Sequence, residues 1–144
     1  MLHVETVVEA LGGRKVLKRR IANLDELRET VRSGLPYASF EAVIGKFGLA
    51  REEAAAALRL PPRTIARRKR EQKLQVDESD RLLRLARISS QAATTLGSEQ
   101  RAIQWLRRPN RALGNQAPLK LIDNDIGARQ VEEALGRIAH GIVS

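Results

Sequence analysis

Residues 49–70 read LAREEAAAALRLPPRTIARRKR, and no other part of the chain says more about its architecture. An alanine-rich segment is followed by a break of about four residues and by a second segment that opens on Pro62. Two helices that cross closely need a small side chain on the first helix, such as Ala55, and a branched one on the second, such as Ile65. Leu58 and Leu60 are placed to fill the space beneath the turn. The pattern predicts a helix-turn-helix.

The second of these helices carries a cluster of basic residues. With Ile65 directed inward, we expect the opposite face to offer Arg63, Thr64, Arg67, Arg68 and Arg70 to DNA, and we count Lys69 among the DNA-binding residues as well. Arginine can bind O6 and N7 of guanine through two hydrogen bonds, and neighbouring cations can contact phosphates. The competing interpretation is a solvated basic face without a partner. The turn directly before the cluster favours DNA binding.

The charge distribution points to the same region. The 144 residues have a formal net charge of +9, and residues 36–75 alone carry nine basic and four acidic side chains. A polyanionic partner suits this excess. Cysteine is absent, which excludes disulfides, thiol nucleophiles and Cys-ligated zinc. The N-terminal residues do not resemble a secretion signal and no apolar run is long enough for a membrane span, so we expect a cytoplasmic protein with no membrane partner.

The rest of the sequence predicts an all-α fold. Aromatic residues make up only 3% of the chain, so the core must consist mostly of aliphatic side chains and alanine. Asn23 and Ser98 are plausible helix caps, and helices are predicted from Pro36 to the stop at Gly48, over 77–96, from Ser98 to the break at Pro109 and over about 127–139. We divide the chain into a poorly determined N-terminal segment (1–35), a helix-turn-helix domain (36–75) and a helical C-terminal domain (76–144). For the first segment, a short helix, a turn and then a strand or a helix are all possible.

The chemistry that an enzyme needs is scarce. The only histidines are His3 and His140, each near one end of the chain, and both are expected at the surface. Asp123 and Asp125 flank Asn124 but lack the distal Glu of a calcium loop. We therefore expect no catalytic residues, no metal and no cofactor. Trp105 is expected to anchor the core, with a direct partner contact as the alternative.

Several motifs occur in an order that resembles a known family. The stretches are LRLPPRTIARR at 58–68, ESDRLLRLAR at 78–87 and AIQWLRRPNRALG at 102–114, followed by APL at 117–119 and IAHG at 138–141. This order closely resembles the Xre/MbcA/ParS antitoxin family from about Gly12 onward. The resemblance implies an Xre-like helix-turn-helix domain followed by a small helical toxin-binding domain.

The same resemblance implies the function. Such proteins neutralise the toxin of a bacterial type II toxin–antitoxin pair, usually a RES-domain toxin that degrades NAD, by covering its active site. They also bind operator DNA and repress their own operon. The toxin contacts implied here are Asn124, Asp125, Gly127, Arg129, Gln130, Gly141 and Ile142. Family members act as homodimers, and we assign the dimer surface to the helix predicted over 77–96.

Two other functions compete with this interpretation. A stand-alone helix-turn-helix regulator would have no toxin partner and would more often use its second domain for a ligand, yet no pocket signature is visible. An RNA-binding adaptor would favour exposed aromatic side chains for base stacking, and the chain has one Trp, one Tyr and two Phe.

Overall fold

The structure is a computed structural model that describes residues 3–141. Within that range the secondary structure is helical, with no strand. The helices are α1 Val4–Ala10, α2 Gly13–Leu17, α3 Leu24–Arg32, α4 Tyr37–Phe47, α5 Arg51–Ala57, α6 Pro62–Glu71, α7 Val76–Leu96, α8 Glu99–Arg107, α9 Pro118–Leu121 and α10 Asp125–Ala139, with a 3-10 turn at Arg111–Leu113. The all-α prediction is confirmed.

Short polar side chains fix the starts of three helices. The side-chain oxygens of Asn23, Ser98 and Asn124 each accept a hydrogen bond from a backbone N–H three residues later, which satisfies a donor that the helix itself leaves free. The caps predicted at Asn23 and Ser98 are confirmed. The last helix begins at Asp125, two residues earlier than predicted, because Asn124 is its cap.

The open question about the N-terminal segment is answered in favour of helices. α1 and α2 are joined by a turn at Gly12, whose φ of +108° suits glycine and where a Cβ would collide with the side chain of Val16. Leu17 and Ile21, on either side of the following bend, are both buried. The segment is therefore part of the folded body.

α7 is the central helix of the fold. It packs against α1, α3, α4, α5, α8 and α10, and Leu82, Leu85, Ala86 and Ile88 are almost completely buried. None of its residues between 81 and 93 is exposed. The exposed residues of α7 lie toward its two ends, and the assignment of the dimer contact to this helix stays a prediction.

The core is one continuous cluster that runs through both predicted domains. Phe40 and Phe47 of α4 belong to it, as do Leu106 of α8 and Leu135 of α10, and Trp105 packs at its edge. The prediction of Trp105 as a core anchor agrees with this position. None of the helices within residues 3–141 is long and apolar enough to cross a membrane.

Candidate nucleic-acid and partner interfaces

The helix-turn-helix is formed by α5 and α6, as predicted. Ala55 of α5 and Ile65 of α6 are both 8% exposed. Leu58 and Leu60 are buried beneath the turn, whose backbone is closed by a hydrogen bond from the Leu60 N–H to the Ala55 carbonyl at 2.9 Å. Pro61 precedes the helix and Pro62 takes its first position.

The outer face of α6 is strongly cationic. Four of the six predicted DNA-binding residues are exposed, namely Arg63, Arg67, Lys69 and Arg70. Thr64 is half-buried. Because Ile65 fixes the inner face in the core, Arg63, Arg67 and Arg70 project from the opposite side, whereas Lys69, four residues after Ile65, is exposed at the edge of the inner face. This arrangement can place guanidinium groups in a major groove and ammonium groups near phosphates.

Arg68 does not belong to this face. We predicted that it points to solvent, and the structure shows that this is wrong, because its side chain is buried. Its Nε donates to Oε1 of Glu78 at 2.6 Å and its Nη2 donates to Oε2 of the same carboxylate at 2.8 Å. Its Nη1 donates to Glu71 at 3.1 Å. Arg68 follows Ile65 by three residues, a spacing that places the two side chains on the same face of a helix. This spacing was the signal in the sequence that Arg68 faces inward.

An ion pair connects the helix-turn-helix with the C-terminal part of the chain. Arg107 of α8 donates to both carboxylate oxygens of Glu53 on α5, at 2.7 Å each, and to the Gly48 carbonyl at 3.1 Å. The hydrogen bonds from Arg107 hold the pKa of Glu53 below its usual value of 4.5, and the Ala50 N–H adds to this effect. Nothing in the sequence indicated that these two residues meet.

We expect this pair to make stability sensitive to acid. Because the pKa of Glu53 is lower in the folded chain than in the unfolded chain, its contribution is complete above pH 4.5 and is lost as the pH falls through the folded value. Both side chains are partly exposed, so the contribution is at most about 1 kcal/mol. Urea unfolding of the parent and of Glu53→Gln between about pH 3 and pH 7 measures it. Two parallel stability curves would contradict the prediction.

The second candidate interface is the start of α10. Asn124, Asp125, Arg129 and Gln130 are all exposed there, and Arg129 donates to Asp125 at 3.0 Å across one turn. Ile126, between them, is 72% exposed, the highest value among the large hydrophobic side chains that the structure describes. We did not single out Ile126 from the sequence. Ile126 does not share the helix face of the buried residues Ala128, Val131 and Leu135, and this spacing was the signal in the sequence that its side chain is exposed.

The other predicted toxin contacts do not join this surface. Gly127 is buried, because the start of α10 lies directly against the Leu121 carbonyl, so it is not part of the exposed surface. Gly141 is exposed but lies at the opposite end of α10, roughly 25 Å along the helix axis. Ile142 lies outside the described residues.

The histidines lie closer together than their positions in the sequence indicated. His3 and His140 are exposed, as predicted, and both line a cavity of about 280 Å³ between α1, α7 and α10. Among residues 3–141 there is no group of three His, Cys, Asp or Glu side chains placed to hold a metal ion.

Comparison with known protein families assigns both parts of the chain. Residues 26–87 match the antitoxin Xre-like helix-turn-helix domain, and residues 91–141 match the antitoxin Xre/MbcA/ParS C-terminal toxin-binding domain. The chain belongs to the Xre/MbcA/ParS antitoxin family. The two matches of this family meet within α7, while α1 and α2 lie outside both.

Individual relatives agree with this assignment. The chain is 41% identical over 73 residues to an antitoxin Xre of Photorhabdus laumondii and 40% identical over 83 residues to one of Pseudomonas putida, covering 50% and 57% of this chain. It is 31% identical over 94 residues, 64% of this chain, to an antitoxin Xre of Yersinia enterocolitica. The matched regions span 49%, 52% and 64% of those relatives' own lengths.

Proposed function

We propose that this chain is the antitoxin of a type II toxin–antitoxin system. It neutralises a RES-domain toxin that degrades NAD by covering the toxin's active site, and it binds operator DNA as a homodimer to repress its own operon. The observation that carries the proposal is the presence, on one continuous core, of a helix-turn-helix with an exposed basic face and of a toxin-binding domain whose last helix exposes Ile126.

The DNA-binding half of the proposal is supported by the orientation of α6. Ile65 and Arg68 tie its inner face to the body of the protein, so the outer face is held in a defined direction. Arg67 lies near the centre of that outer face, between Arg63 and Arg70. A guanidinium in this position can read a base edge, whereas its neighbours contact phosphates.

We expect Arg67→Ala to weaken operator binding by roughly 1–3 kcal/mol, because a two-hydrogen-bond contact with guanine is lost. Fluorescence anisotropy with the DNA upstream of the chain's own reading frame measures the change. Arg111→Ala, which removes an exposed arginine from the C-terminal part, is the matched control and should leave the affinity unchanged. Equal operator affinity for Arg67→Ala and the parent would refute the assignment.

The toxin-binding half is supported by the composition of the α10 surface. An exposed apolar side chain, Ile126, has the exposed polar and charged side chains of Asn124, Asp125, Arg129 and Gln130 as its neighbours on α10 and its cap. Protein interfaces commonly place a few apolar anchors at the centre of a polar rim. The start of α10 is therefore the surface that we assign to the toxin.

We expect Ile126→Asp to abolish neutralisation without unfolding the protein. An acidic residue is favourable in the first turn of a helix, so the fold tolerates the change, while a carboxylate in place of an apolar anchor is costly in an interface. Leu24→Asp, which changes another exposed apolar residue at a helix start, is the control and should still protect cells. Full protection by Ile126→Asp would place the toxin contact elsewhere.

The decisive experiment is co-expression with the product of the adjacent open reading frame, with growth, cellular NAD and co-purification as readouts. Restored growth and NAD together with a stable complex support the antitoxin function. A harmless neighbour that does not co-purify would contradict it and leave only a DNA-binding regulator. Point variants are preferable to truncation, because Val131 and Leu135 of α10 belong to the core.

A further inference from the structure

A short basic turn in the N-terminal segment has no role in the toxin and operator contacts proposed above, which lie in the two matched domains. Lys18, Arg19 and Arg20 are all exposed, and they lie between Leu17 and Ile21, which are both buried. These two apolar anchors hold the turn against the body of the protein. We call Lys18, Arg19 and Arg20 the basic turn. It precedes both matched regions, which start at residues 26 and 91.

The basic turn lies beside the end of the recognition helix. Arg19 lines the same crevice, of about 250 Å³, as Gln72 and Lys73, which directly follow α6. The chain after α6 is held there by backbone hydrogen bonds, from the Leu74 N–H to the Leu35 carbonyl at 2.9 Å and from the Tyr37 N–H to the Gln72 carbonyl at 3.1 Å. The fold thus brings together two basic segments that are about fifty residues apart in sequence.

The charges on the two segments have one sign. No acidic residue occurs from residue 10 to residue 24, where there are five basic ones, and none occurs from residue 54 to residue 70. Glu71, the last residue of α6, forms an ion pair with Arg68 at 3.1 Å. The exposed cations of α6 therefore continue through Lys73 onto the basic turn without an opposing carboxylate from these segments.

We propose that the basic turn contacts the phosphate backbone of DNA beside the groove that α6 enters. Such contacts fix the position of a protein on the duplex and carry no sequence information, which suits three long cations on a turn remote from the base-reading face. The proposal rests on the DNA-binding part of the proposed function. It adds a contact surface that lies outside the helix-turn-helix.

The test compares salt-dependent binding of two charge-matched triple variants to a 40-bp duplex of mixed sequence, over about 50–200 mM salt. The first combines Lys18→Asn, Arg19→Gln and Arg20→Gln; asparagine is used because Lys18 has a φ of +59°. The control combines Arg108→Gln, Arg111→Gln and Lys120→Gln, which neutralise three exposed cations of the C-terminal part. Thermal unfolding verifies that both variants fold.

We expect the basic-turn variant to bind roughly tenfold more weakly and its log–log salt slope to fall by about two or three, since each lost phosphate contact lowers the slope by about 0.9. The control should change the slope by less than about 0.9, the value that corresponds to one phosphate contact. Folded variants with the same slope as the parent would overturn the inference and leave the proposed function intact. Failure of the parent itself to bind the duplex would instead contradict the proposed DNA binding.

Discussion

Glu78→Ala is expected to lower the free energy of unfolding by about 3–5 kcal/mol, because it leaves the guanidinium of Arg68 buried without its main partner. Arg68 is 8% exposed and Glu78 is 4% exposed. Two hydrogen bonds, at 2.6 and 2.8 Å, join the pair, and the Gln75 N–H also donates to Oε1 of Glu78 at 2.8 Å. The substitution therefore removes a buried counter-charge and a helix cap together. Urea unfolding at neutral pH measures the change.

Two matched variants separate the buried pair from a general loss of negative charge. Asp77→Ala removes the adjacent carboxylate, which is largely exposed and lies 3.3 Å from Arg81, so we expect less than about 1 kcal/mol. The double variant Arg68→Met with Glu78→Leu removes both buried charges and should regain most of the lost stability. If Glu78→Ala and Asp77→Ala are equally stable, the Arg68–Glu78 pair does not hold α6 on α7.

This ion pair determines what an arginine scan of α6 can reveal. Arg67 and Arg68 are neighbours in sequence, yet one is exposed and the other is buried against α7. A loss of DNA affinity on replacing Arg68 would come from displacement of α6, and it would be accompanied by a lower melting temperature. A loss on replacing Arg67 would leave the melting temperature unchanged. The two measurements together distinguish a DNA contact from a support for the helix.

The sequence was sufficient wherever a local rule determined the structure. Pro62 at a first helical position and the caps at Asn23 and Ser98 each act within a few residues, so they could be predicted. The end of α4 at Gly48, where φ is +68°, has the same local origin. The all-α architecture followed from these signals.

The errors arose where a distant partner determined the role of a residue. Arg68 was grouped with its basic neighbours in spite of its spacing of three residues from Ile65, and its partner Glu78 on the next helix could not be read from the sequence. The family resemblance implied that Gly127 is accessible to a toxin, and nothing in the sequence indicated that the Leu121 carbonyl lies against it.

Gly127→Ala is expected to lower the free energy of unfolding by about 3 kcal/mol or more, the upper part of the range for an overfilled core. A Cβ at this position would overlap the backbone carbonyl of Leu121, and a backbone group cannot rotate away as a flexible side chain can. Relief requires α9 and the start of α10 to separate. Thermal and urea unfolding of the variant measure the loss.

Gly136→Ala provides a control in the same helix. Among the described residues no atom lies within 4 Å of the Cβ that it adds, so the better helix propensity of alanine should stabilise the protein by up to about 1 kcal/mol. If one added methyl group destabilises α10 at residue 127 and stabilises it at residue 136, the loss at 127 comes from the close contact with the Leu121 carbonyl. Because that contact also places Ile126, a folded Gly127→Ala protein should lose affinity for the toxin and retain its affinity for DNA. Equal stability of the two variants would show that α10 does not lie this closely against α9.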